Sequence, residues 1–341
     1  MATETIELTG HIVDSLLLPK VLDAIVEAGI AYELTDVQIG RTNVDPSRVL
    51  IELEGDQDDL DGLIDDLQVH GANRVTSGTT TLVAADVDGV LPAGFYSTTN
   101  LDTDVLVDGH WLAVENPEMD CGIVIADGRA RTVPMHRVRA GDQVVVGSGG
   151  VRVHAPAKQR GPTAFEFMSS EVSSEKPKAL VVAQVAERVR AAHAAGGKVL
   201  AVCGPAVVHT GGAPDVARLV DAGWIDVLFA GNGFATHDIE SNVLGTSLGV
   251  PLGDDLPPEG GHANHLRVIN EVRRRGSIAA AVADGYITGG VMYECVQHGV
   301  PFVLGGSVRD DGPLPDVYTN VVDAADAMRA ELPGVAVALM L

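Results

Sequence analysis

The chain has 341 residues, 46% of them hydrophobic, and carries a formal charge of −24 at pH 7. That length is too great for one small core, so two or three domains of a soluble, globular protein are expected. No run spans a bilayer, the start Met1-Ala2-Thr3-Glu4-Thr5 lacks a signal pattern, and the acidic field repels nucleic acid, which leaves a cytoplasmic protein that favours cationic ligands.

The first 75 residues alternate clearly. Thr5 to Ile12 reads as a strand, Leu18 to Ala28 as a helix stopped by Gly29, Ile30 to Ile39 and Arg48 to Leu53 as two strands, Asp58 to Val69 as a second helix, and Asn73 to Val75 as a last strand. This βαββαβ order predicts a ferredoxin-like domain over residues 1–77. The acidic stretch Glu54 to Asp61 reads as solvated surface.

Residues 78–155 change character. β-branched runs, frequent glycine and turn signals such as Asp86-Val87-Asp88-Gly89 and Ala126-Asp127-Gly128 predict a small β-rich domain. Its densest polar cluster, Glu115 to Gly122, reads either as a contact for a cationic substrate or as exposed turns. Gly147-Ser148-Gly149-Gly150 is a weak phosphate-loop candidate, because no helix follows it.

Residues 156–341 read as a doubly wound α/β domain. Leu180 to Ala195 is helical, Lys198 to Val202 is a strand, Pro214 to Ala222 a helix, and Ile225 to Ala230 a strand. His265 to Arg275 is helical and Ile278 to Asp284 continues as helix; Val300 to Leu304 is a strand, Val321 to Leu332 a helix, and Val335 to Leu341 a strand. A chain that stops inside an apolar strand reads as C-terminally truncated.

Three loops then follow strands: Gly204 to Gly212, Gly231 to Glu240, and Gly305 to Asp316. Ligands bind at the carboxyl edge of such a sheet. Gly231-Asn232-Gly233 lets the backbone approach a ligand, although the full G-x-G-x-x-G pattern is missing. His209, His237, Asp238 and Glu240 supply acid–base groups near Asp310 and Asp311. Lys176 and Arg309 are cations able to hold a carboxylate, and Lys176 is one of only five lysines, a bias resembling proteins of salt-loving organisms. Cys121, Cys203 and Cys295 form no C-x-x-C pair and read as buried small hydrophobes, with Cys295 the one to test. His262 and His265 lack a third ligand at suitable spacing, so no metal site is expected.

Several long motifs appear in one order: Met119-Asp120-Cys121-Gly122, Phe165-Glu166-Phe167-Met168, Val172 to Pro177, Gly204-Pro205-Ala206, Gly231-Asn232, His237-Asp238-Ile239-Glu240, Gly245 to Gly249 and Ser307 to Pro315. In this combination the chain resembles the archaeal and cyanobacterial-type ornithine cyclodeaminase family, whose members also occur fused behind an arginine dihydrolase. The resemblance implies a front part of the type named after the lysine-ketoglutarate reductase/saccharopine dehydrogenase enzyme, and a back part like the NAD-binding fold of deoxyhypusine synthase. It also implies conversion of L-ornithine to L-proline and ammonia with NAD as a recycled hydride carrier. By motif position, Asn232, Gly233 and Asp311 would contact NAD. Asp238, His209 and Asp310 are then the catalytic candidates, and Lys176, Arg309 and Glu240 the substrate-binding ones. A homo-oligomer is expected. Two other readings stay open: an NAD-dependent dehydrogenase of the lysine/saccharopine or alanine type, and a non-catalytic NAD or amino-acid sensor.

Overall fold

The computed structural model describes residues 2–10, 12, 17–40, 45–68, 71–75, 79–154, 178–247, 250–251, 263–308, 310 and 312–341. Two compact units divide the chain differently from the three expected segments. One contains Met1–Gln159 with Leu244–Arg274, the other Arg160–Val243 with Arg275–Leu341.

The first unit begins with β1 (Ala2–Gly10), α1 (Leu17–Glu27), β2 (Ala31–Gln38), β3 (Ser47–Gly55), α2 (Gln57–Gln68) and β4 (Ala72–Arg74). Its strands lie in the order β2-β3-β1-β4, every neighbour antiparallel, which is the ferredoxin-like arrangement. Alternation drives it: Val49, Ile51 and Leu53 of β3 and Ile6 and Leu8 of β1 are buried. They form one core with Val21 and Ile25 of α1 and with Leu60, Leu63, Ile64 and Leu67 of α2.

The unit continues with β5 (Thr81–Ala84), β6 (Thr103–Val107), β7 (His110–Glu115), β8 (Gly122–Ala126), β9 (Arg129–Val133), β10 (Gln143–Val146) and β11 (Val151–Val153) in one seven-stranded sheet. Two of its hairpins use Asp-Gly pairs. Asp108-Gly109 and Asp127-Gly128 all take positive φ, from 49° to 77°, as two-residue turns matched to strand twist require.

The second unit opens with α3 (Lys178–Ala194), β12 (Lys198–Cys203), α4 (Ala206–His209), α5 (Ala213–Asp221), β13 (Val227–Gly231) and α6 (Asn232–Leu244). The hairpin β14 (Thr246–Ser247) and β15 (Val250–Pro251) and the helix α7 (Asn264–Arg275) come next and lie with the first unit, apart from Arg275. An amide lock ties α7 there: buried Asn270 accepts from Leu91 N and donates to Leu91 O, each at 2.9 Å. The helix expected over Ile278 to Asp284 is present, but as a separate element and not as a continuation of α7. Gly276 takes φ +90°, and Ser277 caps a separate α8 (Ile278–Ala283) by accepting from Ala280 N at 3.0 Å.

Back in the second unit follow α9 (Val291–Gln297), β16 (Phe302–Gly305), β17 (Val317–Tyr318), α10 (Val321–Glu331) and β18 (Val335–Met340). Sequence reading missed α9. The sheet runs β17-β16-β13-β12-β18 with all neighbours parallel, and Leu200, Val227, Phe229 and Val303 form part of its core. From β12 to β17 the order advances one way; β18 returns to the other side of β12. That reversal marks the carboxyl edge beside β12 as the place where such sheets bind ligands. Among the described residues no helix is long and apolar enough to cross a membrane.

Candidate active site at the carboxyl edge of the parallel sheet

Cys203 pairs with Ala230, and Gly231 with Gly305, so the ends of β12, β13 and β16 lie side by side. The segments leaving them therefore meet, as expected. Their form differs from three loops: Gly204 to Gly212 contains the short α4, and residues 232–240 are the start of α6. The reason is visible in the residues. Asn232, Thr236, His237, Asp238 and Glu240 are buried together with Phe234, Ala235 and Ile239, so no polar face marks the helix.

Asn232 acts as a pin between segments. Its Oδ1 accepts the Leu314 N–H at 3.0 Å and its Nδ2 donates to Asp310 Oδ1 at 3.3 Å. Asp310 in turn accepts from Ser307 N at 2.7 Å and from the Ser307 hydroxyl at 3.2 Å. This carboxylate holds the turn after β16. Gly233 seats α6 closely, because a Cβ there would lie 3.3 Å from Pro205 Cγ. Lys176, Arg309 and Asp311 lie outside the described residues.

Three titratable side chains cluster beyond the pin. His237 Nδ1 lies 2.9 Å from Glu240 Oε2, and Glu240 is fully buried. The His209 ring stands 5.1 Å from the His237 ring, centroid to centroid. Burial, and then the neighbouring His237, hold His209 below the usual histidine range. A neutral imidazole is the form that takes a proton.

Asp238 has a different environment. It is fully buried, and its two oxygens accept the N–H groups of Val291 (3.0 Å) and Met292 (2.8 Å) at the start of α9. Burial pushes its carboxyl up to about 6, against those two hydrogen bonds. Gly290, at φ +97°, makes the approach possible: a Cβ would sit 2.8 Å from Asp238 Oδ2 and would strike Asn242 Nδ2. Asn242 also donates to the Asp238 carbonyl at 2.7 Å. Asp238 thus joins α6 to α9 as a clasp. Its negative charge, after burial, pushes the thiols of Cys203 and Cys295 up to about 11 and about 12, so both stay protonated at neutral pH.

Sequence reasoning had no signal for this clasp except the doublet Gly289-Gly290 ahead of an apolar run. Elsewhere, Asp221, Glu294 and His298 bring three ligand-type atoms within 4.8 Å of one another; the contacts of His298 Nε2 with Asp221 at 3.1 Å and Glu294 at 3.3 Å account for that grouping. His265 stands 3.9 Å from Asp120, and His262 is outside the described residues.

Three family models match in chain order: the LOR/SDH bifunctional enzyme conserved region over residues 3–101, and the first and Rossmann-fold C-terminal regions of ArgZ-like arginine dihydrolase over 102–182 and 183–341. An ornithine cyclodeaminase of Methanopyrus kandleri is 46% identical across 99% of this chain and 83% of its own. The chain belongs to the ornithine cyclodeaminase family. A bifunctional arginine dihydrolase/ornithine cyclodeaminase of Nostoc, AgrE, is 39% identical across 98% of this chain and 49% of its own. The structure of AgrE in ternary complex with ornithine and NAD+ superposes with a TM-score of 0.87 at 37% identity, covering 100% of this chain and 49% of that one. The chain therefore spans about half the length of the cyanobacterial members and 83% of the archaeal one. The model matched over residues 183–341 is described as a Rossmann fold, and the parallel sheet described above is that fold.

Proposed function

We propose that this chain is an NAD-dependent ornithine cyclodeaminase, an ammonia-lyase that converts L-ornithine to L-proline and ammonia. One observation carries the reading: over its full length the chain superposes on a family member whose structure holds ornithine and NAD+, and the strand ends of that fold carry buried acid–base groups here. The backbone at these strand ends fits a dinucleotide. A Cβ on Gly204 would meet only Leu341 O at 3.9 Å, and one on Gly231 only Gly305 O at 3.4 Å, so no side chain of either residue covers the edge. Gly233 and the first N–H groups of α6 suit the phosphates, and Asn232 keeps the turn after β16 in place.

When bound, NAD supplies the acceptor and later donor of the substrate's Cα hydride. The residues of the chain handle protons and position. Glu240 fixes the His237 ring through Nδ1, which leaves Nε2 directed to another partner. His209, held neutral, accepts a proton from a substrate amine, and the Glu240 carboxylate favours a diamino substrate. Asp238 and Asp310 serve as positioning residues, one for the α6–α9 pair and one for the turn.

The test is incubation of the full chain with NAD+ and isotopically labelled L-ornithine. Labelled proline and ammonia without net NADH is the expected result. Net NADH would make the protein a dehydrogenase, and NAD binding without turnover would make it a sensor.

A further inference from the structure

The first unit contains a cavity of about 530 Å³ that the proposed chemistry does not use, within the size range of small-molecule sites. Its wall includes Asp61 of α2, Arg74 of β4, Tyr96, Ser97, Gly149 and Arg267 of α7. Arg74 is already neutralised by Glu4 at 3.0 Å and by Asp61. The other two charges keep free capacity. Arg267 donates to the amide oxygen of Asn264 at 3.3 Å and has no carboxylate partner among the described residues, although the chain carries a charge of −24. Asp61 accepts from Gln57 and Arg74 through Oδ1, and its Oδ2 accepts no hydrogen bond from the described residues.

A third feature is independent of those charges. Ser97 is 8% exposed, and its buried hydroxyl has no hydrogen-bond partner among the described residues. Buried polar atoms in native proteins almost always have one, so this hydroxyl is an unfilled polar group within the wall. The glycine run fits the same picture. A Cβ on Gly147 or Gly149 would meet nothing within 4 Å, so the backbone there borders open space. Gln68 anchors this run from beneath, donating to Val151 O at 3.3 Å.

We propose that this cavity binds a free α-amino acid as its zwitterion, with the carboxylate on Arg267 and the ammonium on Asp61 Oδ2. The planar guanidinium matches a carboxylate in two-point fashion, and one acid facing one base selects a ligand carrying both charges over a simple anion. The glycine run sets the room for the side chain. The reading of the second unit enters only in the choice of L-ornithine as the first amino acid tried.

The experiment is isothermal titration of the full chain, without NAD, with L-ornithine, L-proline, L-ornithinamide, Nα-acetyl-L-ornithine and inorganic phosphate. The expected result is saturable binding of at least one of the two amino acids, weakened about tenfold or more in Arg267→Gln and in Gly149→Val. Ornithinamide and acetylornithine, each lacking one pole, should bind at least tenfold more weakly than ornithine if ornithine is the ligand. Gly149 does not have positive φ, so valine there fills space without backbone strain, and thermal melts check that both variants fold. Absence of saturable binding, binding indifferent to both substitutions, or phosphate competing as well as the amino acid would each overturn the proposal. The labelled-ornithine assay on the same preparations separates the two ideas: proline formation with no NAD-independent binding sinks this inference and leaves the cyclodeaminase reading standing.

Discussion

The ferredoxin-like sheet and α6 place their charged residues in opposite ways. On the sheet, Arg48 of β3 meets Glu7 and Asp36 across neighbouring strands with each side chain about a third exposed, while the core beneath is purely aliphatic. On α6 the core itself is polar: Asp238 and Glu240 are fully buried, and His237 nearly so. Burying a carboxylate is costly unless partners surround it. The sheet is therefore organised by hydrophobic burial, and α6 by hydrogen bonds that the rest of its unit must supply. Such an arrangement sacrifices stability for groups held in set positions, which is the expected signature of a working site.

The sharpest way to break the contrast is Glu240→Gln. Glutamine keeps an oxygen for His237 Nδ1 while removing the charge and turning the second carboxylate oxygen into an amide donor. If α6 exists for proton chemistry, kcat should fall by about 10²-fold with a smaller change in KM and little change in the denaturation midpoint. An unchanged kcat would reduce the His237–Glu240 pair to a structural contact. Next in size is Gly290→Ala. Its Cβ would collide with the Asp238 carboxylate and Asn242, at a φ of 97° that alanine resists. A loss of about 3 kcal/mol in urea unfolding is expected.

This contrast also explains what the sequence made legible. β3 could be read directly, since Val49, Ile51 and Leu53 alternate with exposed or half-exposed positions. The Asp127-Gly128 turn was legible for a different local reason, because Asp-Gly suits the positive φ that a two-residue hairpin needs; the Asp108-Gly109 hairpin was not read from the sequence. Residues 232–240 read as a loop because burial on all sides removes helical periodicity, and only tertiary partners such as Val291 and Met292 make it a helix with a core role. The pairing of Asp238 with a helix start more than 50 residues away leaves no pattern in the chain. The residue types of the site were recognisable, yet which of them clasp and which titrate depended on what each one faces.

Asp238→Asn sharpens the comparison through pH. The folded carboxyl titrates near 6 and the unfolded one near 3.8, so between those values the unfolded chain has lost its proton while the folded one retains it. Stability contributed by the protonated clasp is thus complete below about 3.8 and declines as pH rises to about 6, with a slope of at most about 1.4 kcal/mol per pH unit. In Asp238→Asn this decline should vanish from denaturation midpoints measured from pH 4 to 7. Persistence of the same slope would assign it to other groups and remove Asp238 from the α6 argument.

The smallest effect should come from the sheet. Arg48→Gln removes the cation that Glu7 and Asp36 share, yet all three side chains reach solvent, which screens their attraction in either state. The backbone pairing of Arg48 with Thr9 and Gln38 is untouched by the change. The denaturation midpoint should stay within its error in low salt and become indistinguishable from the parent at 1 M salt. A large, salt-resistant loss would mean that the sheet, like α6, depends on its charges, and the division of labour between the two regions would fail.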